Sequence, residues 1–292
     1  MTILRSLLFV PGNKTNMLTK ALPLTPDAFV PDMEDSVPAA EKANARATIR
    51  EFLPRLAATG IPVIPRVNAL DTDWIEDDLA AVVGPHIFGI SVGKARNAGD
   101  LSAISQLIGN LEQRAGVKRG TLRLLPWIET AEAIVNCDAL CRASERIVAV
   151  AFGAEDFTND MAVERAEGDS QLLYARSKLC ISARAAGVLA LETPYFTLRD
   201  ADGIRKDSLA AKSIGFKGRF AIHPEQIDAL NECFSPSAAE IANAERVVAA
   251  YDEAERNGRA STSLDGRVID VPVVKRARGL LELAARSRRS RS

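Results

Sequence analysis

Histidine is nearly missing from this chain. Only His86 and His223 occur in 292 residues, which leaves no Cys–His cluster from which a zinc centre is normally built. Four cysteines, Cys137, Cys141, Cys180 and Cys233, form no CxxC pair and no disulfide framework, so reduced core positions are expected for them. No uncharged apolar run approaches the roughly 18 residues needed to cross a bilayer. The opening stretch MTILRSLLFVPGNK has too short an apolar run for a secretory signal and no small-residue cleavage site; a cytoplasmic location is expected. An excess of charge is also lacking. Lys plus Arg is 37 and Asp plus Glu is 38, a net charge of −1, which offers no basic face for nucleic acid. GxGxxG is absent. GISVGKA looks like a phosphate loop, but its glycine spacing is one residue short and Ala95 stands at the Ser/Thr position. These absences set aside a membrane protein, a nucleic-acid binder and a P-loop kinase or ATPase.

What remains is ordinary globular composition, 47% hydrophobic and 26% charged. Short apolar runs alternate with longer amphipathic ones. The short runs lie at 6–10, 28–33, 62–67, 87–92, 123–128, 147–152, 188–192 and 219–222. Several are continuously apolar, as strands buried on both faces are. The segment 170–187 has apolar Leu172, Ala175, Leu179, Ala183 and Ala186 near a helical period and stops at Gly187. Strands alternating eight times with helices predict a TIM barrel, an α/β fold, over residues 1–234. Periodicity alone leaves a doubly wound sheet open. Residues 235–292 read as a C-terminal helical extension. It has helices near 237–256 and 273–286 and a polar connector, 257–270, suited to a lid or subunit contact. The basic Ser/Arg end, 286–292, reads as a frayed terminus.

TIM-barrel chemistry sits at the C-terminal ends of the strands. Polar groups fall there along this chain: Asp32, Glu34 and Asp35 after the second run, Arg66 and Asn68 after the third, Lys94 after the fourth. Glu129 follows the fifth, Glu155 and Asp156 the sixth, Glu192 the seventh and His223 the eighth. Helix capping accounts for some of these carboxylates, but Arg66 and Lys94 carry the wrong charge for a helix start. Glu129 and Asp156 end neighbouring strands about 4.8 Å apart. They could share a hard cation such as Mg2+, which often takes one or two carboxylates and keeps water or substrate elsewhere. They could equally be two separate caps. Arg66 could bind a carboxylate or stabilise an enolate, or simply pair with Asp32. His223, before Pro224, suits a hydrogen-bonded structural role, and Cys137 and Cys141 suit packing on one helix face.

Seven segments, in order, carry a resemblance. They are RSLLFVPGNK (5–14), DAFVPDMEDSVPAAEKANAR (27–46), IPRVN (64–68), WIETAEAIVN (127–136), VAFGAEDFTND (150–160), GFKGRFAIHPEQI (215–227) and GRVIDVPVVKRA (266–277). Together they resemble the HpcH/HpaI aldolase, or citrate lyase β-subunit-like, family. That resemblance implies a TIM barrel assembled as a homotrimer or hexamer. It implies a Mg2+-dependent lyase that cleaves or forms a carbon–carbon bond in a 3-hydroxyacyl thioester, such as malyl-, citramalyl- or citryl-CoA or an acyl-carrier-protein equivalent. The products would be a 2-oxo acid and an acyl-CoA. Residue by residue, it implies that Glu129 and Asp156 hold Mg2+, and that Glu129 and Arg66 contact the substrate. It further implies that Asp270 acts as acid or base from a neighbouring subunit and that Phe9 and Lys20 contact CoA. Asp32 and Glu34 would sit near the metal and orient its ligands and waters. Departures from the family pattern are Phe9 for a common tyrosine, Asn16 for a lysine, Gly93 for a proline and Glu192 for an aspartate. A class II aldolase on free 2-keto acids, a malyl-CoA thioesterase and the β subunit of a larger lyase complex are the competing expectations.

Overall fold

The computed structural model describes residues 2–165 and 168–289. Eight short strands form: β1 (Ser6–Pro11), β2 (Ala28–Asp32), β3 (Arg66–Val67), β4 (Gly89–Val92), β5 (Arg123–Ile128), β6 (Ala149–Phe152), β7 (Leu189–Glu192) and β8 (Gly218–Ala221). They pair in parallel in sequence order, and β8 returns to β1 to close a barrel. Leu7 stands opposite Ala28 on one side and Phe220 on the other. That closure decides against an open doubly wound sheet, and helices between the strands complete a TIM barrel. The chain separates into two compact units, Met1–Asn231 and Glu232–Ser292.

Side chains alternate across a strand with period two. In the barrel this places Leu7, Ala28, Val30, Ile64, Leu125, Trp127, Ala149, Ala151, Leu189, Leu191 and Phe220 in one interior cluster. Continuing each series by two residues leads to the C-terminal mouth: Asp32 after Val30, Arg66 after Ile64, Glu129 after Trp127, Gly153 after Ala151 and Thr193 after Leu191. Each of these lines the same cavity. Glu192 has the opposite parity. It is fully buried on the outer side, where Arg176 of the helix Leu173–Ala186 donates to it at 2.8 Å.

The third run differs from expectation. Of 62–67, only Arg66–Val67 forms a strand, with an isolated bridge from Val63 to Phe29. Pro62 and Pro65 carry no N–H to donate into a ladder, so the segment is extended but pairs discontinuously. The segment 170–187 begins with a 3-10 turn, Ser170–Leu172, and continues as the helix to Ala186, ending on Gly187 at φ 76°. All four cysteines are free and buried; the Cys137 and Cys141 sulfurs lie 4.0 Å apart on one helix face.

The second unit contains the helices Ala238–Arg256 and Val271–Arg289. Ser237 caps the first in a reciprocal box with Glu240. The polar connector 257–270 holds a hairpin, β9 (Thr262–Leu264) and β10 (Arg267–Ile269). Asp265 and Gly266 both take positive φ, 49° and 74°. An Asp-Gly pair with that geometry is the favoured two-residue hairpin turn. Ile269 packs with Val247, Tyr251 and Val274 in this unit's own core. Of the basic end, residues 290–292 lie outside the described residues.

One ion pair fastens a helix to the barrel wall. Glu112 on the helix Ala98–Arg114 accepts from Arg146 Nη1 and Nη2 at 2.9 and 2.7 Å and from the backbone N–H groups of Gly120 and Leu122, both at 2.7 Å. Burial pushes this carboxyl up, but the Arg146 and backbone hydrogen bonds outweigh it and hold it below the ordinary 4.5. The folded carboxyl therefore binds its proton more weakly than the unfolded one. Its stabilisation is complete above the ordinary value and drains away as pH falls through the lower folded value. Glu112→Gln should cost about 3–5 kcal/mol at neutral pH by leaving Arg146 unpaired. Urea melts at pH 7 and pH 4 should show that gap between wild type and variant narrowing at the acid pH.

Candidate active site

At the C-terminal mouth of the barrel lies a cavity of about 440 Å³. Its floor is an aromatic layer. Phe9 and Phe220 stack at 5.0 Å between centroids, and Trp127 meets Phe220 at 4.4 Å. The indole N–H donates to Ser91 Oγ at 2.9 Å, so that polar edge is satisfied inside the barrel. Above this layer lies the Arg66 guanidinium, 4.6 Å from the Phe9 ring centre and 5.8 Å from that of Trp127.

Arg66 is clamped. Its Nε and Nη2 donate to the two oxygens of Asp32, each at 2.7 Å. Nη1 lies 2.9 Å from Glu34 Oε2 and 3.4 Å from Asp35 Oδ2. Burial opposes charge on both partners of the clamp. The Arg66 charge nonetheless holds Asp32 below the usual carboxylate range, and Asp32, Glu34 and Asp35 raise the affinity of Arg66 for its proton. The expected pairing of Arg66 with Asp32 is thus present, and it fixes the guanidinium at the cavity wall. The remaining carboxylates are less well served. Burial, then the charge of Asp35, pushes Glu34 up to about 6 despite Arg66 and Lys94. Burial and the neighbouring charges of Glu34 and Asp156 push Glu129 up to about 8. Asp156 on the helix Ala154–Asp160 is also raised, chiefly by burial. Its side chain makes no hydrogen bond to a described residue.

Lys94 is the second cation. Its ammonium lies 3.3 Å from both Glu34 Oε1 and Asp35 Oδ1. Its backbone is left-handed, φ 58°, which is unusual for a residue with a side chain. Its N–H donates to Glu129 Oε1 at 2.6 Å. Lys42 buttresses the loop after β2, donating to the carbonyls of Met33 and Glu34 at 2.7 and 2.8 Å and to Asn68 Oδ1 at 2.7 Å.

Of the residues singled out in the sequence, Phe9, Asp32, Arg66, Glu129 and Asp156 line this one cavity, and Glu34 is buried against Arg66 and Lys94. Lys20 is exposed on the helix Thr15–Ala21, whose cavity-lining residue is Met17. Asp270 belongs to the second unit, where its carboxylate accepts from the Val273 N–H at 3.2 Å at the start of the helix Val271–Arg289. His223 accepts from the Glu225 N–H through Nδ1 at 3.3 Å. Glu192 does not face the cavity; Thr193 takes that place. Thr193 and Gly153 carried no charge to attract notice, and Gly93 stood out only as a departure from the family pattern. The strand parity was the signal that could have found them. Among the described residues, no group of three or more His, Cys, Asp or Glu side chains surrounds a common metal position.

Residues 5–224 match the model of the HpcH/HpaI aldolase/citrate lyase family. The chain is 35% identical to citrate lyase subunit beta of Leuconostoc mesenteroides subsp. cremoris over 280 residues, 96% of this chain and 93% of the relative. It is also 35% identical to a (3S)-malyl-CoA thioesterase of Cereibacter sphaeroides over 268 residues, 91% and 89% of the two chains. Among solved structures it resembles protein CitE of Mycobacterium tuberculosis in complex with magnesium, acetoacetate and coenzyme A. The TM-score is 0.79 at 26% identity, with 96% and 97% of the chains covered. A TIM barrel with its charged groups gathered at one mouth, matched over nearly its whole length by these relatives, belongs to the HpcH/HpaI aldolase/citrate lyase family.

Proposed function

We propose that this chain is a Mg2+-dependent carbon–carbon lyase. It would cleave, or in reverse condense, a 3-hydroxyacyl thioester such as malyl-, citramalyl- or citryl-CoA, with a 2-oxo acid and an acyl-CoA as the other side of the reaction. The observation that carries this reading is an imbalance of charge. Asp32, Glu34, Asp35, Glu129 and Asp156 gather around Arg66 and Lys94, so negative groups outnumber positive ones in a space that desolvates them. A divalent cation resolves that imbalance, and the relative bound to magnesium and coenzyme A supports the choice of ion and thioester.

The residues present fit such an ion. Glu34 Oε1 is buried without a hydrogen bond, with only the Lys94 ammonium at 3.3 Å beside it. Glycines make the room in which Glu129 stands. A Cβ on Gly153 would collide with Glu129 Oε2 and lie 2.6 Å from its Cβ; one on Gly93 would lie 2.9 Å from Glu129 Oε1 and 2.8 Å from Glu34 Oε1. Oxygen ligands of this kind suit Mg2+, and two carboxylates leave positions for water and substrate. Glu129 and Asp156 would hold the ion, with Asp32 and Glu34 orienting the groups around it. Mg2+ when bound supplies Lewis-acid charge to the oxygens of a 2-hydroxycarboxylate and lowers the hydroxyl pKa.

In cleavage the substrate hydroxyl would give its proton to water, the bond between its carbon and the thioester α-carbon would break, the hydroxyl carbon would become the carbonyl of the 2-oxo acid, and the bond's electron pair would pass to the thioester fragment as an enolate. Arg66, immobilised by Asp32 and the Phe9 face, presents fixed positive charge to that enolate oxygen without reorganising. Asp270 of a neighbouring subunit would protonate the enolate carbon, or remove that proton in condensation. Phe9 and Lys20 would contact the CoA portion. The malyl-CoA thioesterase relative favours a second reading, in which thioester hydrolysis follows or replaces cleavage. The citrate lyase β-subunit relatives favour a place within a larger assembly, and an acyl carrier protein could then take the place of CoA.

Cleavage of malyl-, citramalyl- and citryl-CoA, followed through the 2-oxo acid and the acyl-CoA separately, tests the reading directly. EDTA should abolish release of both products and Mg2+ should restore it; free thiol without a 2-oxo acid would point to hydrolysis instead. Arg66→Ala should lower kcat roughly hundred- to thousand-fold. Mixing Arg66→Ala with Asp270→Ala subunits should return part of the lost activity, and no recovery after confirmed subunit exchange would place Asp270 in cis. Gly153→Ala should weaken Mg2+ binding by roughly ten- to hundred-fold in a calorimetric titration, as displacement of a metal-supporting group does. An unchanged Mg2+ affinity would remove Glu129 from the ion.

A further inference from the structure

The mechanism uses charged groups at the mouth and leaves the neutral donor Thr193 unassigned. Thr193 follows β7 with the inward parity of Leu189 and Leu191 and lines the cavity beside Gly153, Ala154 and Pro194. Its position is held from behind. Its backbone N–H donates to Glu192 Oε1 at 3.0 Å, and Glu192 is itself fixed by Arg176, which donates through Nε at 2.8 Å and lies 5.8 Å from the Phe216 ring centre. The hydroxyl is oriented as well. Thr193 Oγ1 accepts from the Ala154 N–H at 3.4 Å, at the start of the helix that carries Asp156. The Gly153 position at that helix start offers no side-chain cap of its own. A threonine hydroxyl has one proton to give, and no described residue accepts it. Thr193 is only 6% exposed and lines the cavity, and a donor left unmet there carries a cost. The cavity is also lined by Gly153, Ala154, Glu155, Asp156 and Pro194, none of which accepts a hydrogen bond from this hydroxyl. The hydroxyl proton is therefore available to whatever fills the cavity.

We infer that Thr193 is a substrate-binding residue whose hydroxyl donates a hydrogen bond to a carboxylate oxygen of the 2-hydroxy or 2-oxo acid portion of the substrate. The inference rests on the lyase reading and deepens it by assigning recognition of the acid portion to this wall. A neutral donor is suited to the task. Arg66 and Lys94 are already engaged by Asp32, Glu34 and Asp35, so the small acid needs a partner that is not competing for those carboxylates. The rigid backing through Glu192 and Arg176 means that the hydroxyl need not be ordered when ligand arrives, which favours affinity. An oxygen-bearing acid is favoured here over an analogue lacking the acceptor, because the latter leaves the donor unpaired.

Thr193→Val keeps the side-chain shape and removes the donor; Thr193→Ser keeps the donor. Pyruvate and glyoxylate binding in the presence of Mg2+, measured by calorimetry, is the primary readout. Thr193→Val should weaken both by roughly ten- to hundred-fold, the usual worth of a hydrogen bond to a charged acceptor, and Thr193→Ser should recover most of that loss. Mg2+ affinity without acid, and acetyl-CoA affinity, should move less than about two-fold in Thr193→Val, well within the loss expected for the acid. Unchanged acid binding in Thr193→Val overturns the assignment. So does a parallel loss of Mg2+ binding, which would make the residue a support for Asp156. A wild-type chain that binds pyruvate but turns over no thioester sinks the lyase reading, while Thr193 is still judged on pyruvate. A wild-type chain that binds neither acid sinks the Thr193 assignment itself.

Discussion

Side-chain alternation in a closed parallel barrel governs this molecule. Once eight strands pair in a ring, every second residue must point inward, and the inward series cannot stop at the last core layer. It delivers Asp32, Arg66, Glu129, Gly153 and Thr193 to one cavity from five different strands. The same constraint sends Glu192 the other way, into a buried pair with Arg176. A register shift of one residue in any strand would exchange those fates. The site therefore inherits its rigidity from backbone pairing, and the segments after the strands are left to supply Glu34, Lys94 and, from the helix Ala154–Asp160, Asp156.

Rigidity matters because the charges at the mouth do not favour one another. Arg66 is held by Asp32 in a two-pronged pair and lies against Phe9, while Glu34 and Glu129 are both raised by burial and by like charge. Such crowding lowers the stability of the empty barrel, and only a well-packed frame can sustain it. The aromatic floor of Phe9, Trp127 and Phe220, and fully paired ties such as Glu112 with Arg146, belong to that frame. The strained backbone of Lys94 has the same logic: a φ of 58° is tolerated because it turns an N–H onto Glu129. Binding of a cation and an acid substrate would then relieve, in one event, charge and donor groups that the folded chain leaves unmet.

The second unit solves a different problem with local means. A capping box starts one helix, and an Asp-Gly turn reverses the chain. Asp270 sits at the first turn of the helix Val271–Arg289 with its backbone carbonyl and one carboxylate oxygen engaged by Val274 and Val273. A carboxylate fixed at a helix start is well positioned to be presented to a partner without flexing, which is what the proposed acid–base role demands of it.

Much of this was legible in the sequence because it depends on pattern over short range. Run 123–128 coincides with β5, and the other strands agree to within a few residues except the third, where Pro62 and Pro65 break the ladder. The charged residues at the strand ends named Arg66, Glu129 and Asp156, and the ordered segments from Arg5 to Ala277 named the family. The Asp265–Gly266 turn was equally local and could have been read as a hairpin. What the sequence alone could not decide is which way a polar strand-end residue faces and what meets it there. Glu192 and Glu129 both close a strand, but one is spent on Arg176 and the other stands among carboxylates at the mouth. That difference arises from the closed register and from contacts between residues far apart in the chain. Only the tertiary structure brings Thr193 to the helix of Asp156, or lets the absence of a side chain at Gly93 and Gly153 make room for a carboxylate.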